Sequence, residues 1–361
     1  MKIAVITNGV HFDMGGVEKY SSLLYEYFSH EHEIVEFPTL SVKKNKLPDK
    51  VANEKITINY SLLGWKPHLI VWGGAYTRKN YNNIFNNFDL VIINAMFVPA
   101  KWISHPKVIL VQHMNKDWYQ LNWKKPLISL GKLINYFLFK VSTITNPFKG
   151  VKNAVFFAEE TAAFTKGKKF YLPLAHKNQN DIKLTNYPRQ GFVWISRLDN
   201  HQKNVKAIVR LANINPDINI YGMGHSKNII NKSLINQNQY KGYVSKNEVD
   251  NILQKTKALI ITSNFEGFPF SAVEALSNGT PIILFDTFDA AKFFAISEAV
   301  FLIPKGDIKS LNEKISWIRN LNAEDYQKLS EKAIKFAQIN FSKESFWVKW
   351  IQLINNFKKL N

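Results

Sequence analysis

Short runs of Ile, Val, Leu and Phe punctuate this chain, and several are apolar at consecutive rather than alternate positions. The first series falls at residues 2–7, 33–37, 69–73, 89–94, 107–112 and 154–157. A strand with one wetted face alternates, whereas a strand covered on both faces need not. Parallel sheets are covered on both faces because their connecting helices lie there. Helical periodicity between the runs, clearest at 17–28, completes a strand–helix–strand progression. The stretch HKNQNDIKLTNYPRQG, residues 176–191, has no convincing period and holds Pro188 and Gly191, so it reads as a connection. A second series follows, with strands expected at 192–196, 218–221, 258–263, 281–285 and 299–303. Helices are expected at 204–213, 247–255, 269–277, 309–319 and 323–338.

The expected fold class is therefore α/β, with two Rossmann-like doubly wound parallel-sheet domains. Residues 1–175 form the first and 176–340 the second. A last helix within 341–361 carries Phe346, Trp347, Trp350, Ile351 and Ile354 on one side and is expected to pack back on the first domain. The length of 361 residues agrees, being too great for one ordinary core. A composition of 46% apolar and 21% charged residues excludes disorder over most of the chain. No apolar stretch reaches the roughly 18 residues of a spanning helix, and MKIAVITNGV lacks the apolar core of a signal peptide. The absence of Cys excludes disulfides, thiolate metal sites and a Cys nucleophile. A cytoplasmic protein is expected.

Charge points to the partner. Lys and Arg number 47 against 28 Asp and Glu, a net +19. Such an excess suits an anionic partner: nucleic acid, an acidic membrane face or a phosphorylated small molecule. Codon bias toward Lys and Asn is the alternative. Between Asp117 and Glu159 there are six Lys and no carboxylate, interleaved with Trp118, Trp123, Tyr136, Phe137 and Phe139. Residues 118–152 thus read either as an interfacial segment on the anionic inner face of the cell membrane or as a core helix with a solvated Lys face.

In open α/β sheets, ligands bind beyond the carboxyl ends of the strands. After the first strand, Gly15 and Gly16 sit where a loop enters a helix. The spacing is not G-x-G-x-x-G. Glu36, 20 residues beyond Gly16, imitates the ribose-binding acid of a dinucleotide site, but the glycines do not fit, and a nicotinamide-dependent dehydrogenase is disfavoured. His113 ends a strand. In the second series, Arg197 and Lys203 flank a loop entering a helix, a pairing suited to a diphosphate. Gly222 and Gly224 follow a strand directly. The richest stretch is IITSNFEGFPFSAVEALSNG, residues 260–279, with Glu266 in a loop amid aromatic residues and Glu274 on the helix that follows.

Together these residues resemble the signature of family 4 glycosyltransferases, retaining nucleotide-sugar enzymes of the GT-B fold. SNFEGFPFSAVEALSNGTPII resembles the family's Glu, seven residues, Glu segment. WISRLDNHQKN is similar to its G-R-L…K-N segment, and MGGVEKY to its G-G-x-E loop. The resemblance implies two domains facing each other across a cleft, an acceptor domain first and a donor domain second. It implies that Arg197 and Lys203 bind the donor diphosphate beside Gly222 and Gly224, and that Glu274 holds the ribose. Tyr243 falls where the family holds the base. Glu266, with Gly267 and Phe268, would contact the donor sugar, Gly16 would line the donor phosphate or acceptor site, and His113 would hydrogen-bond the transferring sugar. Two departures stand out: the Arg197–Lys203 spacing is one longer than the commonest form, and the loop FDTFDAAKFFAI has no glycine.

The expected activity is retaining transfer of a hexose from a nucleotide-diphosphate sugar, UDP-linked, to a lipid-linked or other saccharide acceptor of a bacterial surface glycan: lipopolysaccharide, capsule or teichoic acid. No D-x-D triplet occurs. With two cations at the diphosphate, no metal and no cofactor are expected. A nucleotide-sugar epimerase of the same fold is the nearest alternative. A nucleic-acid-binding protein would explain the charge, but no recognisable module supports it, and no nucleic-acid partner is expected.

Overall fold

The computed structural model describes residues 1–7, 16–38, 56–58, 84–94, 103, 105–113, 151–157, 159, 167–185 and 188–358. They fall into two compact units, Met1–Leu172 with Trp350–Asn361, and Pro173–Lys349.

The first unit is a parallel sheet of β1 (Lys2–Thr7), β2 (Glu33–Pro38), β3 (Ile56–Ile58), β4 (Leu90–Asn94), β5 (Val108–Val111), β6 (Asn153–Phe156) and β7 (Lys168–Tyr171). Their order is β3-β2-β1-β4-β5-β6-β7. Ile3, Ala4, Val5 and Ile6 are all buried, so β1 is covered on both faces, which is why its sequence does not alternate. The helix Gly16–Glu31 links β1 to β2 and buries Tyr20, Leu24 and Phe28. β7 departs from the expected pattern. It is an edge strand reading KKFY, with Lys168, Lys169 and Tyr171 exposed, and lysines on an edge discourage pairing with another chain. The strand expected at 69–73 lies outside the described residues, as does most of the 118–152 segment.

The last helix, Lys343–Lys358, begins in the second unit, while its residues from Trp350 onward belong to the first. Trp350 is fully buried there. Its indole Nε1 donates to the Tyr20 hydroxyl at 3.0 Å, and its ring meets Phe28 edge-on at 5.6 Å. Among the described residues no helix is long and apolar enough to cross a membrane.

The second unit repeats the plan with β8 (Phe192–Ile195), β9 (Ile218–Tyr221), β10 (Tyr240–Gly242), β11 (Ala258–Ile261), β12 (Ile282–Phe285) and β13 (Val300–Ile303). All neighbours are parallel, in the order β10-β9-β8-β11-β12-β13. Its core gathers Phe192, Trp194, Ile208, Leu211, Ile220, Ile260, Ile283 and Ile315. Local chemistry agrees with the elements. Ser245 and Glu248 form a capping box on the helix Lys246–Gln254, and Asp307 and Asn322 cap the helices that follow them. The polar helix Lys227–Ser233 and the short strand β10 were not expected, since KNIINKS and YKG carry too few apolar residues to show a period.

In both sheets the chain starts centrally, builds outward on one side, then returns beside the first strand to build the other. That order creates switch points between β1 and β4 and between β8 and β11, the positions where open α/β sheets take ligands. The α/β class with two doubly wound parallel sheets stands.

Candidate active site

The second switch point gathers the charged residues singled out above. Beyond β8 the chain runs through Arg197 and Leu198 to Asp199. The Asp199 carboxylate accepts from the backbone N–H groups of His201 and Gln202 and caps the single turn Asn200–Lys203. Asn204, in the left-handed region at φ 54°, then redirects the chain into the helix Val205–Ile214. This kink aims the side chains of Gln202 and Lys203 toward the loop beyond β11. Asn264 binds that loop to the turn, its backbone N–H donating to Gln202 O at 2.7 Å and its amide to His201 O at 2.8 Å. Thr262 adds a third tie, donating to Lys203 O at 2.9 Å and accepting from the Trp194 indole at 3.0 Å.

Glu266 is the centre of the arrangement. Its carboxylate is buried, and its Oε1 accepts from the Lys203 ammonium and from Ser263 Oγ at 2.6 Å. Oε2 accepts from Gln202 Nε2 at 3.2 Å, and Gln202 Oε1 in turn accepts from Arg197 Nη2 at 3.0 Å. Arg197, Lys203 and Glu266 thus share one hydrogen-bonded network, with a neutral amide standing between Arg197 and the carboxylate. The side chains of this network bring two cations to one carboxylate, the Asp199 carboxylate being taken up by backbone N–H groups of the turn, and the cations suit an anionic ligand. Gln202 and Ser263 were missed from sequence, where an uncharged Gln or Ser carries no signal of its own.

The other expected donor residues are placed as follows. Gly222 and Gly224 sit beyond β9 at φ 149° and 156°. A Cβ on Gly222 would lie 1.8 Å from Ser196 O, and one on Gly224 2.6 Å from Leu198 O. Their lack of a side chain lets the β9 loop press against the backbone of the Arg197 loop. Tyr243, just beyond β10, is 63% exposed. Gly267 is buried. Phe268 directs its ring into an aromatic cluster, 4.6 Å from Phe294 and 5.8 Å from Phe293 between centroids. Glu274 is buried on the helix Phe270–Ser277.

In the first unit, Gly16 opens the helix Gly16–Glu31, while Gly15 lies outside the described residues. Glu36 is buried within β2, accepting from Thr7 Oγ1 at 2.5 Å. His113, just beyond β5, bonds through Nε2 to Asn94 Oδ1 at 2.5 Å, and Asn94 ends β4 at the switch point. The imidazole stands between the rings of Tyr20 and Phe157, at 5.4 and 5.1 Å. Burial among them lowers its pKa to about 3, so it is neutral at physiological pH. Among the described residues no group of three or more His, Asp or Glu side chains is placed to hold a metal ion.

Residues 179–336, which contain this network, match the family of glycosyl transferases group 1. Over 199 residues the chain is 29% identical to a poly(glycerol-phosphate) alpha-glucosyltransferase of Bacillus subtilis (strain 168), covering 52% of this chain and 29% of that protein. Over 243 residues it is 25% identical to a poly(ribitol-phosphate) alpha-N-acetylglucosaminyltransferase of Staphylococcus aureus (strain COL), covering 55% and 48%. The matches therefore span less than half the length of either relative. Among solved structures, a sucrose-phosphate synthase from Thermosynechococcus elongatus superposes over 100% of both chains with a TM-score of 0.76 at 14% identity, a likeness of fold.

Proposed function

We propose that this chain, whose residues 179–336 match the group 1 glycosyl transferases, moves a hexose from a nucleotide-diphosphate sugar, UDP-linked, to a saccharide acceptor of a bacterial surface glycan. The observation that carries the reading is the joining of Arg197, Lys203 and Glu266 in one network at the β8/β11 switch point. The cations suit a diphosphate, and the hydrogen-bonded carboxylate suits sugar hydroxyls. Gly222 and Gly224 let the β9 loop close against the Arg197 loop beside the diphosphate, Tyr243 carries the base, and Glu274 holds the ribose. Both relatives are named for alpha-linked products on polyol-phosphate chains, which favours a teichoic-acid type of acceptor. A hexose alpha-linked in its nucleotide donor and alpha-linked in its product has been transferred with retention. In the proposed front-face route the departing diphosphate takes the proton of the attacking hydroxyl, so the protein's task is positioning and charge stabilisation.

A screen of nucleotide sugars by thermal shift and hydrolysis tests the reading directly. A donor at 100 times its Kd should stabilise the protein by about 2.7 kcal/mol. No stabilisation and no turnover with any nucleotide sugar would remove the proposal. Because Arg197 and Lys203 supply the positive charge, activity should survive EDTA. Complete loss on chelation, restored by Mg²⁺ or Mn²⁺, would show that the cations do not suffice.

The acceptor's setting gives a further expectation. If residues 118–152 rest on the inner face of the membrane, the protein should bind vesicles containing phosphatidylglycerol more tightly than phosphatidylcholine vesicles. Added salt should weaken that binding, by about 1 kcal/mol for each Lys near the surface that is screened. Equal failure to bind both would return the segment to the core.

A further inference from the structure

The bond between His113 and Asn94 has a direction that the surrounding atoms settle. Asn94 is fully buried, and one end of its amide touches Val17 O at 3.2 Å and Ser21 Oγ at 2.7 Å. A carbonyl oxygen only accepts, so the end facing Val17 must be the NH₂ group. Ser21 is consistent, since its own hydroxyl donates to Val17 O at 3.2 Å and so has a lone pair for the Asn94 amide. The other end, Oδ1, therefore faces His113, and an amide oxygen also only accepts. The imidazole nitrogen 2.5 Å from it, Nε2, must carry the proton.

A neutral imidazole holds one proton, so Nδ1 is left with a lone pair. Among the described residues Nδ1 makes no hydrogen bond, and the rings of Tyr20 and Phe157 that flank the imidazole bring no charge to it. An acceptor of this kind accepts a hydrogen bond from a hydroxyl and repels a phosphate oxygen.

We propose that Asn94 is a positioning residue that locks His113 as the Nε2–H tautomer, presenting Nδ1 as an acceptor for a saccharide hydroxyl. The lock is built into the first unit: the end of β4 and the first turns of the helix Gly16–Glu31 hold Asn94, and Asn94 holds the histidine. That the partner is a saccharide rests on the proposed function, whereas the tautomer does not.

Nitrogen-15 NMR of the histidine rings tests the lock in the full chain without substrate, with His113→Gln used to assign the signals. The wild type should show Nδ1 unprotonated and Nε2 protonated, unchanged between pH 5 and 8. Asn94→Ala should allow the Nδ1–H form to appear. Asn94→Asp restores an acceptor and should keep Nε2–H, its proton signal moved downfield by the charged partner. A wild-type Nδ1–H tautomer would overturn the proposal, as would an unaltered Nε2–H fraction in Asn94→Ala. If Asn94→Ala does not fold, an Nε2 proton unmoved in Asn94→Asp overturns it equally. In turnover, Asn94→Ala should lose about tenfold in kcat/KM, as for one hydrogen bond worth about 1.4 kcal/mol. Absence of turnover in the wild type with every nucleotide sugar would count against the proposed function and leave the NMR result standing.

Discussion

Lys203→Ala should lower kcat/KM for the nucleotide sugar by about 10- to 150-fold, the value of one charge-assisted hydrogen bond of roughly 1.5–3 kcal/mol. Negative charge grows on the diphosphate as the sugar leaves, so part of the loss should appear in kcat rather than all in KM. The variant also takes the ammonium away from the buried Glu266 carboxylate, which among the described residues keeps Ser263 and Gln202 as donors. Glu266→Gln, which retains the shape of the side chain, should reduce kcat most if, as proposed, that group faces the reacting sugar. Glu274→Ala, at the proposed ribose contact, should raise donor KM, since the ribose does not change charge during transfer. Steady-state kinetics of folded variants read all three. Wild-type values in Lys203→Ala or Glu266→Gln would put the donor somewhere else.

Arg189→Met should destabilise the second unit by about 1–3 kcal/mol. The guanidinium donates through Nη1 to Leu253 O at 3.1 Å, Thr256 O at 3.2 Å and Thr280 Oγ1 at 2.9 Å, and through Nη2 to Asn278 O at 2.6 Å. Leu253, Thr256 and Asn278 lie at the carboxyl ends of the helices Lys246–Gln254 and Phe270–Ser277, where the helix field favours a cation. Leu253 O also accepts from Thr280 Oγ1 at 2.7 Å, so Asn278 O depends most on the guanidinium. A methionine would fill much of the volume and supply no donor. Leaving a buried acceptor such as Asn278 O unpaired costs about 1–3 kcal/mol, against a total stability of about 5–15 kcal/mol for a domain. Urea denaturation should show the midpoint falling accordingly. A loss under about 1 kcal/mol would mean that water replaces the guanidinium.

Neither Arg189 nor Gln202 stood out from sequence, and the reason is the same. Each acts through partners that are distant along the chain, Gln202 on Glu266 and Arg189 on Asn278, and no local pattern encodes such a meeting. The sheets were more legible. Runs such as IAVI and LVII are apolar because both faces are covered, and that is a local signal of a parallel strand. β7 escaped because KKFY sits on an edge, where charge serves against pairing. The family resemblance puts Gly222 and Gly224 beside the donor diphosphate. The structure adds a reason for glycine at both, since the backbone of the Arg197 loop already occupies the space a side chain would need.

The buried Trp350 bears on how this molecule comes to exist. Its partner Tyr20 is 330 positions earlier in the chain. At roughly 5–20 residues per second of synthesis, Tyr20 and Phe28 wait about 15–70 seconds for the indole that covers them. Residues 173–349 form one uninterrupted stretch and have no such wait. On the ribosome the inserted unit can therefore close before its host, whose Tyr20 and Phe28 stay uncovered by the indole meanwhile.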